Sequence, residues 1–128
     1  MITNEGKIQL LSYQIGQFGN LWWDLFVNNV TPIASNVLGD FTLASWTGYA
    51  SVNSGTWGTP NIIANKAVSV DTTVPVFNNT SGAPQTFYGW ILHDTVTGKM
   101  IAAVNIGSTT IPNGGSYPLS ATISDDQQ

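Results

Sequence analysis

Apolar and aromatic residues in this chain come in short runs, cut apart by clusters of Gly, Pro, Asn and Ser. Runs this short fit strands better than helices, and the turn residues between them mark where the chain reverses. Leu21–Val27 (LWWDLFV) reads as a strand, closed by Asn28–Pro32 (NNVTP). Val37–Ala44 (VLGDFTLA) fits either a short strand or a helical turn. Trp46–Val52 (WTGYASV) alternates as a strand does, and Asn53–Pro60 is a loop. Ala67–Val70 and Val74–Phe77 are brief β runs, the second assigned to a sheet edge by Pro75. Thr86–His93 (TFYGWILH) carries the strongest strand pattern. It joins Lys99–Ile106 through a five-residue connection, Asp94–Gly98, as a hairpin does. Thr109–Ile111 and Ser116–Ile123 complete the series. About eight short antiparallel strands, roughly ten residues apart, predict an all-β fold of the β-sandwich or jelly-roll type.

One helix is expected, ahead of the strands. Over residues 3–15, Thr3 or Asn4 suits the N-cap and Glu5 the positive end of the dipole. Ile8, Leu11 and Ile15 make one apolar stripe, and Gly16 ends it. The expected organisation is therefore an N-terminal arm over 1–16, a β domain over 17–124 and a frayed tail over 125–128.

The surface has little charge with which to work. Of 128 residues 8% are charged: three lysines (Lys7, Lys66, Lys99), seven acids and no arginine, for a net charge of −4. Three scattered lysines make no basic patch, so neither nucleic acid nor an anionic membrane is an expected partner. Ser, Thr and Asn number 38. A neutral polar shell falls below the roughly 25–35% charge usual for a soluble monomer, and points to a surface covered by partners or exposed outside cells. The longest apolar stretch, Leu21–Val27, is interrupted by Asp24 and far shorter than the about 20 residues of a membrane-spanning helix. The first residues, MITNEGKIQLL, lack a basic segment and an unbroken apolar segment, so synthesis in the cytoplasm without a signal peptide is expected.

The chain has few residues for catalysis. There is no cysteine, which excludes disulfides and zinc-thiolate sites, and His93 is the single histidine. His93 and Asp94 are adjacent, so on a strand they point to opposite faces and form no relay by themselves. Among the carboxylates within the fold, Asp24, Asp40, Asp71 and Asp94, no spacing brings two together as glycoside hydrolysis requires. Asp40 fits a turn or cap carboxylate. The Ca²⁺-loop, phosphate-loop and dinucleotide patterns are absent. The expectation is a non-enzymatic protein with no catalytic residue, no metal and no cofactor. The five tryptophans are the better candidates for function. Trp46 and Trp90 suit a core. Trp57, in a Gly/Ser/Thr loop, and Trp22 or Trp23, which are adjacent and so face opposite ways, are candidate interface or ligand contacts. Sequons at Asn29, Asn78 and Asn79 are read as chance in a chain rich in Asn and Thr.

Four segments in order, TNEGKIQLL, LFVNNVTP, LGDFTLASWTGYA and QTFYGWILHD, resemble a group of small structural proteins of tailed-bacteriophage virions. The resemblance spans about Thr3 to Ile106. It implies a virion component made in the host cytoplasm. Its expected role is that of a capsid decoration (cement) protein, a homotrimer on the outer shell whose partners are the major capsid protein or other virion proteins. The alternative within the same group is a tail-fibre, baseplate or receptor-binding module that recognises cell-surface glycans through aromatic loops. The segments carry no catalytic residues, and their implied role is in the fold.

Overall fold

The computed structural model describes Thr3, Glu5, Ile8, Leu11, Ser12, residues 21–54, Trp57, residues 59–70, 74–120 and 122–125. Nine strands lie among them: β1 Leu21–Phe26, β2 Val52–Asn53, β3 Asn61–Ile63, β4 Lys66–Val70, β5 Val76–Asn78, β6 Gln85–Asp94, β7 Met100–Ile111, β8 Ser116–Pro118 and β9 Thr122–Asp125. They form three antiparallel sheets, ordered β2-β1-β6-β7, β3-β4-β9 and β5-β8. Most of the expected helix over 3–15 lies outside the described residues, and Leu11 within it is buried.

The four-stranded sheet is buried on both faces at its centre, which is why β1 reads as a nearly continuous apolar run. Leu21, Trp23 and Leu25 of β1 and Leu92 of β6 point into the larger core. There they meet Phe77 of β5 and Leu119, just past β8, with Tyr117 packed alongside. The two-stranded sheet thus covers one face. On the other face Phe26 and Ile91 pack with Phe41, the Phe26 and Phe41 rings meeting edge-on at 4.9 Å. An irregularity between Phe87 and Gly89 places Phe87 in the same core as Trp90 three residues on, where strict alternation would separate them. Gly89 has a steric reason: a Cβ there would collide with the Val104 carbonyl oxygen and the Phe26 ring.

The 27–51 connection covers the second face. Asn28 pins it in both directions, donating from Nδ2 to Asp40 O at 3.0 Å and accepting from Thr42 N–H at 2.7 Å. Leu38–Asp40 is a 3₁₀ turn, closed by Asp40 Oδ2, which accepts from Val37 N–H and Asn36 Nδ2. These bonds hold Asp40 below the usual carboxylate range, the Val37 N–H contributing most. Thr42–Ala44 then extends along the β1 edge, with Val27 N–H to Thr42 O at 2.8 Å and Ala44 N–H to Leu25 O at 2.9 Å.

Several strand boundaries differ from expectation. Trp46–Val52 is not a strand: Tyr49 N–H bonds back to Trp46 O, turning the chain, and pairing resumes only at Val52. Gly48, at φ +89°, permits that turn, and a Cβ there would collide with Thr80. The expected last strand is two, β8 and β9, in different sheets, and Asp125 of the expected tail lies opposite Ala67. Lys99–Ile106 and Thr109–Ile111 are one strand, β7. β3 pairs with β4 through a two-residue turn, Ala64–Asn65, both at positive φ.

Candidate functional site

The principal buried polar cluster of the described residues lies on the second face of the four-stranded sheet. Asp24 is 1% exposed, in the middle of β1. A carboxylate so placed needs donors, since burying it unpaired would cost several kcal/mol or more. Three side chains supply them. Tyr49 Oη donates to Oδ1 at 2.5 Å, Ser51 Oγ donates to Oδ1 at 2.6 Å, and His93 Nε2 lies 2.7 Å from Oδ2. The β1–β6 register explains the approach: Asp24 stands opposite Ile91, and His93 is the next residue of β6 on the same face.

Tyr49 joins the two faces. Its ring stacks on Phe77 of the larger core at 5.6 Å and 13°, and its oxygen accepts from Leu25 N–H at 2.9 Å. Burial and the neighbouring Asp24 push its hydroxyl far above the ordinary tyrosine value. The sequence gives a cue to the cluster but not to its members. A lone Asp in LWWDLF has to find donors if the run is buried. Tyr49 and Ser51 are 25 and 27 positions away, in a stretch read as a strand.

His93 and Asp94 go separate ways, as adjacent strand residues should. Asp94 closes the β6–β7 turn, accepting from Val96 N–H at 2.9 Å and Thr97 Oγ1 at 3.1 Å. Asp24 and Asp40 have distinct partners, and Asp71 lies outside the described residues. Ser51 donates to the carboxylate of the Asp24–His93 pair instead of sitting on the imidazole, so the arrangement is not that of an activated nucleophile. Among the described residues no three His, Cys, Asp or Glu side chains gather as a metal site would need.

Among the tryptophans, Trp46 and Trp90 pack on the core as expected, Trp22 and Trp23 face opposite ways, and Trp57 is the one placed otherwise. Trp23 is a core residue, 1% exposed, with Trp90 edge-on at 5.2 Å and Trp57 tilted at 5.8 Å. Trp57 is therefore not a free loop aromatic. It packs half-buried against the core and donates Nε1–H to Ser54 Oγ at 3.3 Å. Trp22, on the opposite face from Trp23, is half-buried. Trp46 packs on the core and donates to Asn78 O at 2.8 Å. At the sequons, Asn79 is fully buried and its amide is used on both sides, accepting from Ser81 and donating to Ala83 O and Ile111 O. Asn78 is exposed, and Asn29 accepts from Asn105 Nδ2.

A shallow groove of about 310 Å³ lies between Pro32–Ala34 and Met100–Ala103. Its lining includes Asn36 and mixes polar with apolar surface, and Ile33 beside it is 62% exposed. Comparison with family models, with curated proteins and with solved structures found no match.

Proposed function

We propose that this chain is a structural component of a tailed-phage virion, and within it a capsid decoration protein that binds the outer shell and stabilises it. The observation that supports this reading is the character of the outer surface. Ile33, Val37, Ile63 and Val96 are each at least 60% exposed, on different parts of the molecule, in a chain with 8% charged residues. Covering aliphatic surface is favourable by roughly 25 cal/mol per Å². A neutral contact of this kind is also insensitive to salt, and repetition over a shell turns weak contacts into high occupancy. The partner is the major capsid protein or another virion protein, and the location the capsid surface. On this reading the protein is not an enzyme. The Asp24 cluster is a structural bond between β1, β6 and the 49–51 segment. The packing of the β5–β8 sheet on the four-stranded sheet is, in the same proposal, the kernel of a β-sandwich.

The experiment is mass spectrometry with electron microscopy of purified particles. Hundreds of copies in symmetric positions on the head are expected. A few copies confined to the tail would transfer the protein to the tail-fibre or receptor-binding class. Particles without it would overturn the virion reading.

A further inference from the structure

We propose that Asn113 is a site of spontaneous deamidation which the native fold holds closed, so that the reaction proceeds only when the 112–115 turn opens away from the 79–82 loop. The proposal does not rest on the virion reading.

Asn113–Gly114 is the single Asn-Gly step in the chain. Deamidation begins when the main-chain nitrogen of the following residue attacks the side-chain carbonyl carbon of the asparagine. Glycine, with no Cβ, hinders that approach least. The new N–Cγ bond forms as the Cγ–Nδ2 bond breaks. The main-chain proton leaves with the departing nitrogen as ammonia, and a five-membered succinimide remains. Water then opens the ring at either carbonyl carbon. One opening gives aspartate. The other gives isoaspartate, in which the main chain runs through the former side-chain carbon. Asn113 and Gly114 are both exposed, so water reaches them.

The native turn withholds both reacting atoms. Gly114 N–H donates to Asn79 O at 2.7 Å, and Asn113 Oδ1 accepts from Gly82 N–H at 3.0 Å. The nitrogen that has to lose its proton therefore gives it to the facing loop, and the carbonyl it has to meet is tied to that loop as well. Ring closure needs the two atoms about 3–3.5 Å apart and aligned, which these bonds oppose. Gly115 N–H to Pro112 O at 2.9 Å, with Gly114 at φ +78°, fixes the turn itself. The facing loop is anchored in turn. Asn79 is fully buried, its Nδ2 donates to Ala83 O at 2.8 Å and to Ile111 O at 2.9 Å, and its N–H donates to Gly115 O at 3.0 Å.

The isoaspartyl product fits this arrangement badly. It adds one carbon to the main chain between Asn113 Cα and Gly114 N, which moves the Gly114 N–H off Asn79 O. It also adds a negative charge to a chain of net charge −4. The β5–β8 pairing begins beside this turn, with Asn78 opposite Ser116.

The test is peptide mapping by mass spectrometry of the full chain at mildly alkaline pH, folded and in guanidinium chloride, over a time series. In the unfolded chain Asn113 is expected to convert ahead of the other asparagines. In the folded chain its conversion should be at least about tenfold slower, because local opening of a bonded loop is a minor state. Hydrogen exchange supplies the second reading. Exchange and ring closure both need the Gly114 proton removed from the opened turn, so the slowing should equal the protection factor of the Gly114 amide. Folded conversion as fast as unfolded conversion would overturn the closed turn. An unfolded chain in which Asn113 stays intact would overturn the site. Slowing unrelated to Gly114 protection would overturn opening as the gate. Particle location is measured separately, so its failure is distinguishable from failure here.

Discussion

Asp24 has the most demanding environment of any described residue, because one carboxylate holds three partners from two parts of the chain, the 49–51 segment and β6. Asp24→Ala would strand the Tyr49, Ser51 and His93 groups together, and should lower stability by about 3–5 kcal/mol, the range for breaking a buried ionic cluster from one side. A urea midpoint shift at unchanged slope checks it. Tyr49 gives the cluster a pH dependence. Its folded-state value is raised by burial and by Asp24. A group raised on folding stabilises fully below its unfolded value, about 10 for tyrosine, and the contribution is lost as pH rises past it. Stability should therefore fall steeply above about pH 10. In Tyr49→Phe the starting stability should be lower, since Leu25 N–H and Asp24 each lose a partner, but the alkaline slope should flatten. An unchanged slope would remove Tyr49 as its source.

At the scale of elements, the 27–51 connection behaves as a structured cover because short polar side chains do the work of a ladder. Asp40 closes its 3₁₀ turn, and its carboxyl is held below the usual range by Val37 N–H and Asn36. For a group lowered on folding, the stabilising effect is present above the unfolded value, about 3.9, and disappears as pH falls through the folded one. As pH falls below about 4, the Val37 amide should lose protection relative to its intrinsic exchange rate, and Asp40→Asn should show that lower protection already at neutral pH. This part of the fold was only half legible. LFVNNVTP and LGDFTLASWTGYA stand out as patterns, yet nothing in spacing alone says that Asn28 reaches Asp40 and Thr42. β1 and the β6–β7 hairpin were legible, because long apolar runs around a five-residue turn admit few other readings. Trp46–Val52 misled, because its apolar residues Trp46, Tyr49 and Val52 recur every third position, as a turn folded onto a core produces, and not with the period of two that a strand requires. Trp57 misled for a related reason. A loop of small residues lets a tryptophan fold back onto Trp23, and composition alone does not show it.

Over the whole molecule, the sheet order makes distant parts of the chain neighbours. β1 pairs with β6, Leu21 opposite Asp94, and β4 pairs with β9, Ala67 opposite Asp125. Little of this topology can form locally except the β6–β7 and β3–β4 hairpins. Refolding should therefore fall in the range of milliseconds to seconds, as for other domains dominated by distant pairings. Refolding already complete within a stopped-flow dead time would show that the register forms before the distant strands meet. The expected β class follows from run length and turn chemistry. The division into three sheets does not, because sheet membership depends on which edges meet, and that is decided by packing of residues such as Phe77 and Leu119.

The indole arrangement around Trp23 has an optical consequence. Its ring has Trp90 edge-on at 5.2 Å and Trp57 at 5.8 Å, distances at which excited states on neighbouring rings mix. The folded domain should therefore show a paired positive and negative band in its far-ultraviolet circular dichroism, superimposed on the weak signal of short strands. Trp57→Phe should reduce that couplet and Trp90→Phe should reduce it more, while Trp22→Phe, on the other face, should leave it in place. Each copy of the protein would then carry an unlabelled gauge of its own core packing, readable in free solution and in any assembly clear enough to transmit light.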